Sequence, residues 1–224
     1  MYTDIVSFDC ANRTLAYTYA RVNMHFGKQL RDHADAITKY TTMNTCTYND
    51  QQLRRIAELI VEVMHLCDNF IRIKSCGILD VIGANINATD EVFRTRCLND
   101  TLSSLNIEFT SDTIVLIENQ PNCMQSNVIQ AQLMMYFCDN SRNCNIILVE
   151  PELKNKINLD DSIHMDVYMQ HCRDKYQANK MHSAANFLHL VKTFGFTHML
   201  KHIDTKYDDL ADSCMQMYAY LIRL

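Results

Sequence analysis

Apolar and polar residues follow one another in three rhythms along this chain, and each predicts a different kind of element. The segment "IVSFDC" (5–10) is apolar and β-branched, Asn12-Arg13 makes a turn, and "LAYTYARV" (15–22) alternates with period two, which together predict an opening β-hairpin. Residues 24–49 are mixed and polar. They lead into "DQQLRRIAELIVEVMHLCDNF", where Leu53, Ile56, Ile60, Val63 and Met64 fall at helical spacing. Strand character returns in "IRIKSCGILDVIG" (71–83). A threonine cap and acidic first-turn residues mark "TDEVFRTRCLNDTLSSL" (89–105) as a helix.

The continuous apolar run "TIVLIENQP" (113–121) ends in a glutamate and fits a strand buried on both faces. Val128, Leu133, Met134 and Phe137 predict a helix over 124–138, and "NIILVEP" (145–151) a second buried strand. The acidic stretch "LDDSIHMDVYMQH" (159–171) fits neither period. "NKMHSAANFLHLVKTFG" (179–195) reads as a helix closed by Gly195, and a final helix opens near Tyr207. Antiparallel strands first, then alternating helix and strand, then helices, make a mixed-sheet α/β domain.

Composition narrows the class. At 224 residues, with 48% apolar and 21% charged residues, the chain suits one soluble globular domain with a sizeable core. With 4 glycines and 2 prolines there is no room for long flexible linkers. None of the ten cysteines forms a C-x-x-C pair and most lie in apolar runs, so they read as buried free thiols in a reducing, intracellular setting. A zinc site drawing on Cys138, Cys144 or the His198/His202 pair is the sharper alternative, but chance supplies such spacings in a chain with 9 His and 10 Cys. The N-terminus does not read as a signal peptide, and no run reaches the roughly 18 apolar residues of a membrane span. A net charge of −5 argues against coating nucleic acid by bulk charge. It leaves room for a carboxylate cluster that bound cations neutralise.

Candidate chemistry gathers at three acidic places. Asp9 lies near the end of the first strand, Glu118 ends "TIVLIE", and Asp209 and Asp212 stand i, i+3 on one face of the last helix. Carboxylates at strand ends, joined by a helical pair, supply the hard oxygen ligands that Mg2+ prefers. Two such ions about 4 Å apart can activate a water and stabilise the leaving oxygen of a phosphodiester. Each residue also has a plainer reading: Asp9 as a turn former, Glu118 as a local cap, Asp208 and Asp209 as complements to a helix N-terminus. Asp212 resists one, because "LADSCM" looks half-buried beyond that first turn.

The segments "IVSFDCANRTLAY", "IVLIENQPN", "MHSAANFLHLVKTFG" and "KYDDLADSCMQ" resemble, in order, those of poxvirus-type Holliday junction resolvases, a RuvC-like branch of the RNase H-like superfamily. That pattern runs S-F-D-x-G, then E-x-Q-P, then K-x-D-D-x-A-D. The segments span most of the chain, with close matching over only about 50 residues, and the last motif is the most specific. The resemblance implies an RNase H-like mixed five-stranded sheet flanked by helices, in a single domain over 1–224 with a helical insertion at about 24–69. It implies a Mg2+-dependent endonuclease, two ions per site with Mn2+ as a substitute, and Asp9, Glu118, Asp209 and Asp212 as catalytic and metal-binding residues. Asp208 would be a neighbour. Lys180 and Lys206 would contact DNA phosphates, with a solvated surface lysine as the plainer reading of each.

The implied substrate is branched DNA, a four-way junction cut by a homodimer in paired symmetric nicks during viral genome processing, with no membrane involved. The family glycine two residues after the first aspartate is Ala11 here, and the low pI is atypical. Two rivals stand beside this reading: another RNase H-like nuclease cutting RNA–DNA hybrids or flaps, and a non-catalytic scaffold of the same fold that binds DNA or protein.

Overall fold

The structure, a computed structural model, describes residues 2–11, 14–26, 28–29, 32–33, 36, 51, 54–55, 58, 70–81, 91–120, 124–139, 143–157, 159, 165–193 and 207–223. Among them are five strands: β1 (Tyr2–Cys10), β2 (Thr14–Asn23), β3 (Ile71–Asp80), β4 (Ile114–Glu118) and β5 (Asn145–Val149). They form one sheet in the order β3-β2-β1-β4-β5. The β1–β2 and β2–β3 pairs are antiparallel, while β1–β4 and β4–β5 are parallel, giving the mixed five-stranded sheet expected. The helices are α1 (Glu91–Ser104), α2 (Met124–Cys138), α3 (Met165–His171), α4 (Lys175–Thr193) and α5 (Tyr207–Arg223), with a 3-10 turn at Lys154–Lys156.

Strand alternation decides what each face of the sheet carries. Val6, Phe8, Val115 and Ile117 point toward α1 and α2 and pack with Leu98, Leu102, Ile129, Leu133 and Phe137. Ile5, Ile114 and Leu116 point the other way, toward Met217, Ala219 and Leu221 of α5. A third cluster ties α5 to α4 through Phe187, Leu190, Val191, Leu210 and Met215. The last helix is therefore wedged between the sheet and α4, and nearly every side chain from Asp209 to Leu221 is buried. Two polar contacts fix how it lies: Thr18 and Ser213 hydroxyls meet at 2.8 Å, and Gln216 Nε2 donates to the Phe8 carbonyl at 3.4 Å.

Several expectations shift. β5 is half exposed, with Leu148 at 42%, because it closes the sheet at an edge and has one face only partly covered. An apolar run alone does not distinguish an edge strand from a central one. The ambiguous 159–171 stretch contributes α3, and α4 begins at Lys175, one turn before the predicted start, in a polar turn with no apolar rhythm to reveal it. Asp174 Oδ1 accepts from the Gln177 amide at 2.9 Å and caps that turn. Among the described thiols, Cys10 and Cys214 are buried but Cys138 is exposed at the end of α2, so uniform burial does not hold. Gly195, Thr89, the expected Asn12-Arg13 turn and most of the expected 24–69 insertion lie outside the described residues.

Candidate active site

Register brings the first two carboxylates together. β1 and β4 run parallel with Ile5 beside Ile114 and Ser7 beside Leu116. Two residues further on, the same face carries Asp9 and Glu118 at the carboxyl ends of both strands. That face looks onto α5, where Asp209 and Asp212 project together one turn apart. All four are buried: Asp9 6%, Glu118 6%, Asp209 9% and Asp212 4% exposed. Carboxylates are almost never buried without partners.

The partners are two lysines. Lys154, in the 3-10 turn after β5, puts its ammonium 3.0 Å from Asp212 Oδ2, 3.2 Å from Glu118 Oε1 and 4.0 Å from Asp9 Oδ1. Lys180, on α4, reaches Asp212 Oδ2 at 2.7 Å and Asp209 Oδ1 at 3.0 Å. It also stands 3.7 Å from Asp208, whose side chain is 45% exposed at the helix start. Thr14 Oγ1 donates weakly to Asp209 Oδ2 at 3.5 Å. Asp212 Oδ1 is buried with no hydrogen-bond partner.

Four carboxyl groups thus face two ammonium groups, and the imbalance appears in their proton affinities. Burial pushes the Asp9 carboxyl well above the ordinary aspartate range, helped by Glu118 and Asp212 and opposed by Lys154. Burial acts the same way on Asp212, but Lys154 and Lys180 outweigh it and hold that carboxyl below its usual value. Burial disfavours the charge on Lys154 and Lys180, yet the surrounding carboxylates overcome it and raise both. Asp9 is consequently the surplus acid, drawn toward its protonated form, while Asp212 is the bridging anion between two cations.

The four carboxyl groups and both lysines line a cleft of about 510 Å3 open to solvent, together with Ser126, Tyr176 and Asn179. Lys180 lies 5.9 Å from the Tyr176 ring centre. Lys206 and the His198/His202 pair fall outside the described residues. Lys154 carried no signal in the sequence. It lies in "ELKNKIN", which reads as a solvated turn, and only the packing of buried Leu153 against the sheet draws the next residue inward.

The donor set is all carboxylate, which suits a hard divalent cation, and Asp212 Oδ1 offers a buried oxygen that neither lysine engages. Among the described residues, however, no three His, Cys, Asp or Glu groups are set to hold a metal ion as they stand. The two ammonium groups fill the space between the carboxylates.

Residues 63–223 match the family described as Poxvirus A22 protein. No curated protein sequence matches the chain. A solved structure described as the fowlpox virus resolvase with substrate Holliday junction DNA is 15% identical, over 97% of this chain and 96% of that one, with a TM-score of 0.52. A second, of the fowlpox virus Holliday junction resolvase, is 14% identical over 100% of both chains with a TM-score of 0.48. At 15% identity the first likeness is one of fold, and it covers the sheet and the helices that flank it. No described helix is long and apolar enough to cross a membrane.

Proposed function

The chain belongs to the Poxvirus A22 protein family, and from that premise we propose that it is a divalent-metal-dependent endonuclease that resolves four-way DNA junctions. One observation carries the reading: Asp9, Glu118, Asp209 and Asp212, drawn from two strands and a helix, meet at the buried end of one open cleft. A merely structural role would not require four buried carboxyl groups against two cations, because breaking even with apolar residues of similar size is easier. The fowlpox virus neighbour of the same fold is described in complex with Holliday junction DNA, which supports a branched substrate here.

Asp9, Glu118, Asp209 and Asp212 would hold the ions, Mg2+ in the cell with Mn2+ as a substitute. When bound, two such ions supply charge stabilisation to the attacking and leaving oxygens of the phosphodiester. Glu118 and Asp9 sit at the ends of paired strands, so the sheet fixes their separation and keeps the pocket floor rigid. Asp212 is held by the wedged α5, with Leu210, Ala211 and Met215 packed in the apolar cluster between that helix and α4. Lys180, at the more open side of the cluster with a side chain 17% exposed, can turn its ammonium from Asp209 to a DNA phosphate oxygen. Backbone and shape would direct recognition, in keeping with a chain of net charge −5 that has little bulk attraction for DNA. A four-way junction has two strands to cut symmetrically, and a homodimer would present one cleft to each.

The test compares Mg2+-dependent nicking of four-way junctions, flaps and RNA–DNA hybrids by the wild type and by Asp9→Asn. Preferential, paired cutting of junctions that the variant loses is the expected result. Equal cutting by the variant, or a preference for hybrids, would overturn it.

A further inference from the structure

Lys154 differs from every other lysine described. Its side chain is 8% exposed, and its ammonium touches or approaches three of the four carboxyl groups of the cluster. The chain on which it rides is firmly placed. Leu153 N donates to the Glu150 carbonyl at 3.0 Å, Lys156 N donates to the Leu153 carbonyl at 3.3 Å, and Leu153 itself is buried in the core beneath α5. The ammonium is delivered into the pocket from a fixed turn, not from a loose surface arm. An ammonium is a compact point charge with three donors, and here it makes the contacts to Asp212, Glu118 and Asp9 that a cation lodged between them would make. Lys180 approaches from α4, and its closest contacts are Asp209 and Asp212.

We propose that Lys154 is a resident counter-cation that competes with a divalent ion for the space between Asp9, Glu118 and Asp212, so that loading this position requires its ammonium to be displaced. The proposal rests on the metal-dependent reading above. It gives Lys154 two effects on the same pocket. Without metal, its charge holds three carboxyl groups in place that would otherwise repel one another. With metal, the same charge opposes binding, because two cations cannot share oxygens about 3–4 Å away without strong repulsion in a poorly solvated site. Asp212 Oδ1, buried and unpartnered, is the oxygen the lysine leaves available for an incoming ion.

The test uses the full chain and Mn2+ as the probe. Isothermal titration calorimetry of Lys154→Met, which keeps an unbranched chain only one atom shorter and removes its charge, should show Mn2+ binding about tenfold or more tighter than wild type. Unchanged or weaker affinity overturns the proposal. Because the variant leaves buried carboxylates without their partner and could fail to fold, the wild type provides a second measurement. Treated with an amine-acetylating ester in chelator, Lys154 should be protected, and saturating Mn2+ should make it reactive by peptide mass spectrometry. Protection that persists in saturating Mn2+ also overturns the proposal. If wild type and variant bind Mn2+ equally, only the role of Lys154 falls. If neither binds it, the metal-dependent reading falls first and the proposal with it.

Discussion

Two aspartates on the same strand, five residues apart, have opposite fates. Asp4 stands directly opposite Arg21 in the β1–β2 ladder, and the guanidinium grips it with Nε at 2.8 Å and Nη2 at 2.9 Å. The hydrogen bond from Arg21 holds the Asp4 carboxyl below its ordinary range, and both side chains reach solvent. Asp9 stands opposite Ala16, which offers it nothing, at the buried strand end where Glu118 and Asp212 add repulsion. Its proton affinity rises instead. The residue type and the strand are the same, so the difference lies in what surrounds the carboxyl. A partnered, hydrated carboxylate is finished chemistry. One denied both solvent and a full partner stores free energy that an incoming cation can release.

The sharpest way to break this contrast is to remove the anion that both lysines share. Asp212→Asn would leave Lys154 and Lys180 each short of a charged partner in a buried setting, a loss of about 3–5 kcal/mol by analogy with broken buried pairs. Thermal unfolding in chelator reads it, with Asp4→Asn as the surface control. A cost for Asp212→Asn no larger than the control's would mean that the cluster is well hydrated, and the contrast would collapse.

Asp9→Asn should separate stability from activity. Asparagine keeps the shape of the side chain and removes an acid whose ionised form burial and Glu118 oppose, so the metal-free variant should melt no lower than wild type at neutral pH. Junction cleavage should nevertheless fall by more than about a hundredfold, since residues that only orient metal ligands already cost about 10–100-fold. Cleavage that survives this change would place the metal elsewhere.

The fold was largely legible because period-two and period-3.6 patterns report burial, and burial is what the sheet and helices are built to achieve. The convergence of Asp9, Glu118, Asp209 and Asp212 was legible for a related reason: strand ends and an i, i+3 pair are geometric statements that survive translation into three dimensions. Lys154 was not, since no local pattern says that a lysine in a polar turn will face inward. Its position depends on Leu153, on the edge strand before it and on α5, some 60 residues later in sequence. The half-exposed β5 escaped for the same cause, as a strand's rank in its sheet is set by distant partners. Local rhythm encodes elements, while the cations of the site come from tertiary packing.

The smallest effect, and the one that sharpens the comparison most, is a difference in slope. In the unfolded chain both aspartates ionise near 3.8. Folded Asp9 keeps its proton above that value, so the native state binds more protons and its stability falls as pH rises from 3.8 through the raised pKa. Folded Asp4 loses its proton earlier, so its contribution is present above 3.8 and fades as pH falls through the depressed pKa. Melting curves of metal-free wild type, Asp9→Asn and Asp4→Asn across acid to neutral pH should therefore diverge in opposite senses. Relative to wild type, Asp9→Asn should gain as pH rises, whereas Asp4→Asn should lose slightly and then level off. High salt should erase most of the Asp4 difference, because that pair is exposed and screened, while leaving the Asp9 difference nearly intact. Parallel curves, or equal salt sensitivity, would mean that Asp9 sees water much as Asp4 does, and that the strand end is not the dry, charge-strained place the geometry describes.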